Sequence, residues 1–249
     1  MSLAEALAVL AAGVAAGTIN VVVGSGTLIT FPVLLAVGFP PVTANVSNTI
    51  GLVPGSFSGV VGYRRELATQ SHRLLHFSIA SVTGGIVGAI ALLELPPSAF
   101  EAIVPVFIVI ALVLIILQPR LAKLLAERRP THGRPGPITT GAVFLTGVYG
   151  GYFGAAQGIL LLGILGATLP ESLQTVNGIK NLLAMLVNLV SGIVFAFVAH
   201  VDWQAAGLIA AGSIVGGALG ARYGRQLPPQ ALRALIVVVG TVAIVRLVT

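Results

Sequence analysis

The sequence lacks cysteine altogether and contains few charged side chains. Of its 249 residues, 8% are charged and 56% are hydrophobic. Without cysteine, disulfide bonds, zinc–thiolate sites and thiol redox chemistry are excluded. Soluble domains carry roughly 25% charged residues, so most of this protein's surface must face lipid rather than water. We therefore predict an all-α polytopic protein that crosses a membrane many times.

Recognisable catalytic motifs are also missing. The sequence has no P-loop, no Ser-His-Asp set and no paired carboxylates, and its four histidines lie in loops or at the ends of apolar segments. The net charge of +6 comes from clusters between apolar runs, which is typical of loop anchors and not of a nucleic-acid-binding face. We predict that the protein is not an enzyme, uses no metal or cofactor and binds no nucleic acid. A homo-oligomer is compatible with the sequence.

Two of the apolar segments are too short to cross a membrane. Residues 26–38 and 157–169 each follow a glycine-rich stretch and are about 13 residues long. A helix of that length covers about 20 Å, whereas the hydrocarbon core is about 30 Å thick. Short segments of this kind, interrupted by glycine and placed similarly in two halves of a chain, indicate a transporter's binding site.

The chain aligns with itself at a shift of 132 residues, which indicates an internal repeat. The matches include glycines, a Thr-x-Asn pair and a Leu-Pro-Pro run, and chance does not readily supply all of them at one offset. The matched positions are Gly26 with Gly158, Thr43 with Thr175, Asn45 with Asn177, and 95–97 with 227–229.

The distribution of Lys and Arg predicts that the two repeats are inverted in the membrane. The loop at 64–73 and the connector at 119–136 are rich in arginine, which places them on the cytoplasmic side. The counterpart of the first loop, around 200–202, has no Lys or Arg. Equivalent loops would therefore lie on opposite sides, which requires an odd number of crossings in each half.

We predict an N-terminal membrane repeat at 1–118, a cytoplasmic linker at 119–136 and a C-terminal membrane repeat at 137–249. Each repeat would begin with a short-helix hairpin, covering 3–38 or 138–169, that either spans twice or re-enters from one side. Three full spans would follow the hairpin. These spans are predicted at 42–63, 74–94, 98–118, 172–199, 204–222 and 230–248.

Lys180 is the strongest single candidate for a substrate contact. It is the only lysine inside an apolar segment, and it lies between Asn177 and Asn181. Polar and charged groups at lipid depth are costly, so they mark functional positions. Two alternatives are open: the side chain reaches the inner interface by snorkelling, or it pairs with Glu171.

Further candidates come from the glycine breaks and from the counterpart of the Lys180 stretch. Helix starts at the breaks would offer N–H donors to an anion. Amides and hydroxyls in the other stretch would line a polar wall, or would instead hold helices together. The complete set of predicted substrate-binding residues is Ser25, Gly26, Thr27, Asn45, Asn48, Gln157, Gly158, Asn177, Lys180 and Asn181.

Four sequence runs occur in a fixed order along the chain: GSGTLITFPVL at 24–34, ANVSNT at 44–49, GGYFGAAQG at 150–158 and NGIKNLL at 177–183. Together they resemble the TauE/SafE sulfite exporter family, over essentially the whole chain. The resemblance implies a plasma-membrane secondary transporter for sulfite, organosulfonates or related anions, with a co-transported proton.

The residues and the resemblance together predict export of a small sulfur-containing anion by alternating access at the interface of the two repeats. A passive channel for small anions or neutral solutes is the alternative. A third interpretation, a non-transporting subunit of a membrane complex, is disfavoured because the chain has little extramembrane surface for a partner to bind.

Overall fold

The computed structural model describes residues 1–68, 71–127, 136–224 and 229–248. Within these ranges the regular structure is entirely helical, so the prediction of an all-α membrane protein is confirmed. The helices are α1 Leu3–Val22, α2 Thr27–Ala36, α3 Pro41–Gly62, α4 Arg64–Leu67, α5 Ser71–Glu94, α6 Pro97–Glu127, α7 Pro137–Tyr152, α8 Gln157–Thr168, α9 Leu173–Val198, α10 Trp203–Tyr223 and α11 Pro229–Val248.

Polar residues at the ends of the apolar runs define several helix starts. Ser2 and Glu5 form a reciprocal capping box at the start of α1. Ser172 caps α9 by accepting a hydrogen bond from a backbone N–H, and Asp202 caps α10 in the same way. α3 begins with Pro41, a residue whose missing N–H costs nothing in the first turn.

Among the described residues, five helices are long and apolar enough to cross a membrane. α1 is one of them, with 20 residues, whereas α2 has only ten. The N-terminal hairpin therefore combines a helix of full spanning length with a short one. α7 and α8, with 16 and 12 residues, are both short. The five long apolar stretches are Leu3–Val22, Leu74–Glu94, Pro97–Arg120, Leu173–Val198 and Trp203–Tyr223.

The predicted linker is helical over its first part. α6 continues through Pro119 to Glu127, so the helix extends beyond the predicted span of 98–118 into the predicted linker. Residues 128–135 lie outside the described part of the chain. The division into two repeats joined by a linker stays a prediction.

Six of the helices pack as two groups of three. The first bundle contains α1, α3 and α10, and the second contains α5, α7 and α9. Each bundle therefore takes helices from both sides of the predicted boundary. Close approach depends on small residues: a Cβ on Gly17 would lie 2.4 Å from the Ser213 carbonyl oxygen, and one on Gly88 would lie 2.0 Å from that of Val148.

Glycine contacts also give the directions of the helices. α1 and α10 run the same way, because Gly13 meets Ile209 and Gly17 meets Ser213. α3 and α9 join the bundles and run in opposite directions, because Gly178 meets Tyr63 whereas Gly192, further along α9, meets the earlier residue Ile50. An inverted repeat would produce this arrangement, and the repeat itself stays a prediction.

Candidate functional site

The two helix breaks meet inside the protein. Residues 23–26 separate α1 from α2, and residues 153–156 separate α7 from α8. The Gly158 N–H donates a hydrogen bond to the Gly24 carbonyl oxygen over 3.0 Å. A Cβ on Gly24 would lie 2.5 Å from the Gly158 Cα, so any side chain would force the breaks apart. We call this contact region, residues 23–26 with 153–158, the junction.

A glycine with left-handed backbone follows the end of α1 and the end of α7. Gly24 has φ +89° and Gly154 has φ +77°. The N–H of each glycine bonds to a carbonyl five residues earlier, on Ile19 and Tyr149 respectively, at 3.0 Å in both cases. The helix ends therefore correspond at a spacing of 130 residues, not at the predicted 132. α8 has two more residues than α2, and this restores the spacing of 132 at the starts of α3 and α9.

Lys180 lies fully inside the protein, with 1% of its surface exposed. Its Nζ donates hydrogen bonds to the carbonyl oxygens of Val21 at 3.0 Å and Asn20 at 3.4 Å. Asn181 donates its amide N–H to the Val21 oxygen as well, at 3.3 Å. These carbonyls belong to the last turn of α1, the negative end of that helix dipole. The side chain thus reaches the junction and does not snorkel to the membrane surface.

The counterparts of this stretch on α3 make different contacts. Asn45 is completely buried, and its Nδ2 donates to the carbonyl oxygen of Tyr152, the last residue of α7, over 2.9 Å. Asn48 instead binds within its own half, to the hydroxyls of Thr27 and Thr30 on α2. An amide therefore holds the end of α7, whereas a cation and an amide hold the end of α1.

Several buried polar atoms at these positions have no hydrogen-bond partner among the described residues. They are Ser25 Oγ, Asn45 Oδ1, Tyr152 Oη and Gln157 Nε2, all on side chains at least nine-tenths buried. An unpaired buried polar group costs about 1–3 kcal/mol, so such groups require an explanation. A polar ligand at the junction would supply the missing hydrogen bonds.

Most of the predicted site residues converge on the junction. Lys180, Asn181 and Asn45 bind its helix ends, and Asn48 anchors the start of α2. Ser25, Gly26, Thr27, Gln157 and Gly158 belong to the breaks or to the helix turns that follow them. Asn177 is the exception, since it lies nearer the arginine-rich end of α3 and donates to the Tyr63 hydroxyl over 2.7 Å. The assignment of these residues to a substrate stays a prediction.

Sequence reasoning missed Asn20, Thr30 and Tyr152. The Asn20 side chain bridges α1 and α3 by donating to Ser56 Oγ over 3.0 Å. Its Oδ1 also faces the N–H of Gly26, 3.5 Å away. A polar residue in an apolar run, four positions before a glycine, was the available signal for Asn20.

An aromatic cluster packs beside the junction. The ring of Phe31 on α2 lies 5.2 Å from that of Phe153 and 6.4 Å from that of Phe100, both edge to face. Phe107 and Tyr152 extend the cluster, with ring centres 6.0 Å apart. Such pairs add about 0.5–1.5 kcal/mol beyond the area that they bury. The cluster fills the space between the breaks and the first half of α6.

Broken helices that meet between two helical bundles, with buried polar groups where they touch, define a membrane transport protein. The sequence pattern of the sulfite exporter TauE/SafE family matches residues 9–247, and the chain belongs to that family. The predicted family is therefore confirmed, and with it a multi-pass protein of the plasma membrane.

Several curated relatives are similar in sequence to this chain over most of their length. A "Probable membrane transporter protein ORF9" from Sinorhizobium sp. is 29% identical over 238 residues, covering 93% of this chain and 88% of its own. "Probable membrane transporter protein YfcA" from Escherichia coli is 26% identical, covering 91% and 83%. A "Probable membrane transporter protein" from Haemophilus influenzae is also 26% identical, covering 91% and 88%. No solved structure matches the chain.

Proposed function

We propose that the protein is a secondary transporter that exports a small sulfur-containing anion, such as sulfite or an organosulfonate. The observation that carries the proposal is Lys180: a buried cation whose Nζ contacts the broken end of α1. A buried charge is costly unless it is compensated, so its retention at the junction favours a role with an oppositely charged ligand.

Two short helices supply the second part of the anion site. α2 begins at Thr27 and α8 at Gln157, and both begin at the junction. The start of a helix carries partial positive charge, which attracts anions, while most of the first-turn N–H groups of these two helices already bond within the protein. Ser25 Oγ and Gln157 Nε2, without partners among the described residues, are suitable donors for oxyanion oxygens.

Substrate binding would compete with the internal contacts of Lys180. The carbonyl oxygens of Asn20 and Val21 are neutral acceptors, and a charged oxyanion is the stronger partner for an ammonium group. An arriving anion would therefore draw Lys180 away from the end of α1. This exchange gives binding a direct mechanical effect on the helix break of the first bundle.

Alternating access would follow from movement of one bundle relative to the other. The bundles contact each other through α3 and α9, and these are also the helices that hold the two breaks. A change at either break would therefore alter the interface between the bundles. The co-transported proton implied by the family resemblance belongs to the same proposal.

Flux measurements on purified protein in liposomes test the proposal. We expect saturable sulfite transport with counter-flow, dependent on a proton gradient, whereas a passive channel gives neither saturation nor counter-flow. Lys180→Met should reduce the flux roughly tenfold to hundredfold, which corresponds to losing a hydrogen bond to a charged group. Lys123→Met is the matched control, since Lys123 is the chain's other lysine and is exposed on α6. Equal flux in the two variants would remove Lys180 from the site.

A further inference from the structure

A cleft opens at the arginine-rich end of the protein, below the junction. It lies between the ends of α1, α3 and α10, the α6 residue Gln118, and the first turns of α9 and α11. Its volume is about 220 Å³. Sites for drug-sized ligands occupy roughly 300–1,000 Å³, so this cleft suits a smaller solute. It is lined by Val22, Val23, Tyr63, Gln118, Leu162, Leu173, Gln174, Asn177, Gly224 and Arg233, and we call it the inner cleft.

Arg233 gives the inner cleft its charge. Its Nε donates to Oε1 of the buried Gln118 over 3.4 Å, which fixes the guanidinium at the cleft wall. No acidic residue is among the described lining residues. Apolar neighbours such as Val22 and Leu162 lower the local dielectric, so the attraction of Arg233 for an anion is stronger than in water. A guanidinium has five N–H donors, which suits the oxygens of an oxyanion.

Asn177 provides a second polar group. Its Nδ2 donates to the Tyr63 hydroxyl, and its Oδ1 has no partner among the described residues. A hydroxyl can donate or accept, so turning the amide would exchange the two atoms and direct an N–H into the cleft. Gln174 lies one helical turn earlier on α9 and also lines the cleft. We propose that the inner cleft is a second anion site, in which Arg233 and these amides bind a small oxyanion.

The inner cleft leads to the junction along one face of α9. Gln174, Asn177 and Asn181 are spaced by three and four residues, so they share that face over about 10 Å. Asn181 already bonds to Val21, the residue next to the cleft residue Val22. The inner cleft would be the first binding site on the export pathway. This role rests on the transporter function proposed above.

The described residue at the corresponding position in the predicted repeat is an acid, not a cation. At the repeat spacing of 132 residues, Arg233 corresponds to Glu101, which is exposed in the first turns of α6. An acid in this position repels the same anions that Arg233 attracts. The asymmetry favours capture from the arginine-rich side, and thus export.

Sulfite binding to the full-length protein in phosphatidylcholine nanodiscs tests the inner cleft. We expect Arg233→Gln to raise the Kd for sulfite about tenfold and to raise the KM for sulfite supplied from the arginine-rich side. Arg222→Gln is the matched control: Arg222 is exposed at the end of α10, and its guanidinium lies 5.2 Å from the Tyr223 ring, outside the cleft lining. That variant should stay within about twofold of wild type for both quantities.

The outcomes separate this proposal from the transporter function. An unchanged Kd and KM in Arg233→Gln would overturn the inner cleft while leaving transport in place. If sulfite binding depends on Arg233 but no anion is transported, the inner-cleft proposal stands and the transporter proposal is wrong. Lys180→Met should lose flux and retain the binding that depends on Arg233. If anionic phospholipid co-purifies with wild type but not with Arg233→Gln, and sulfite does not displace it, the cleft binds a lipid headgroup and the free-anion assignment is wrong.

Discussion

The two helix breaks have similar backbone geometry, but different side-chain groups bind their helix ends. The end of α1 is bound by Lys180 and Asn181, whereas among the described side chains the end of α7 is bound by Asn45. These groups come from α9 and α3, which correspond in the predicted repeat. The one deeply buried lysine of the described chain lies at a single break, so any anion bound at the junction would meet a positive wall on one side and a neutral wall on the other.

The breaks also differ in backbone. The first has one left-handed residue, Gly24, whereas the second has two, Gly154 and Ala156. Ala156 is the only described non-glycine residue with positive φ, at 60°. Such conformations cost energy and concentrate at functional sites. The first break is therefore restricted by close contact as well as by left-handed backbone, whereas the second places left-handed backbone on a non-glycine residue. Substitutions can test this difference.

The largest effect should come from filling the contact between the breaks. Gly24→Ala adds the strain of a left-handed alanine, about 1–2 kcal/mol, to an overlap with Gly158 that costs about 1–3 kcal/mol. We expect a loss of about 3 kcal/mol in the free energy of unfolding. Thermal denaturation of the purified variant in detergent measures this loss, together with the flux that remains.

Gly38→Ala separates the two contributions. Gly38 also has positive φ, at 97°, but nothing lies within 4 Å of a Cβ placed there. Its substitution should cost only the strain, about 1–2 kcal/mol, and leave transport intact. If both variants melt at the same temperature, contact between the breaks adds nothing to stability.

An intermediate effect should come from the asparagines that correspond in the two halves. Asn45→Leu removes the hydrogen bond to Tyr152 at a fully buried position, which should cost about 1–2 kcal/mol. Asn177→Leu acts at a half-buried position on the inner cleft and should cost less, about 1 kcal/mol. We expect the first variant to lower the melting temperature and the second to raise the KM for sulfite from the arginine-rich side. If Asn45→Leu instead raised the KM and Asn177→Leu lowered the melting temperature, the separate roles given to the junction and the inner cleft would be wrong.

Much of the fold could be predicted because lipid imposes strong rules on sequence. The short helices at 157–168 and 27–36 were expected at nearly the same bounds, since glycine clusters interrupt apolar runs there. The span predicted at 98–118 ends too early, because α6 continues through Pro119 to Glu127. Helices tolerate proline when neighbouring groups satisfy the freed carbonyl, and sequence alone does not show those neighbours.

The candidate site was predicted in its residues but not in its contacts. Lys180 was recognised because a lysine at lipid depth is costly. Its partners, Asn20 and Val21, are backbone carbonyls some 160 residues away, and backbone groups leave no signal in residue type. The inner cleft was not predicted either, because Arg233 resembles an ordinary loop anchor until the ends of several helices are placed around it.

The smallest effect should come from relaxing the second break. Ala156→Gly removes a strain of about 1–2 kcal/mol but also removes a buried methyl group worth about 0.8 kcal/mol and adds freedom to the unfolded chain worth about 0.4–1 kcal/mol. These contributions nearly cancel, so the free energy of unfolding should change by less than about 1 kcal/mol, again by thermal denaturation in detergent. A loss above about 2 kcal/mol would show that the methyl group's packing, and not the backbone, fixes the second break. Near-neutral stability with altered sulfite flux would instead show that the left-handed alanine is retained for the geometry of the substrate site.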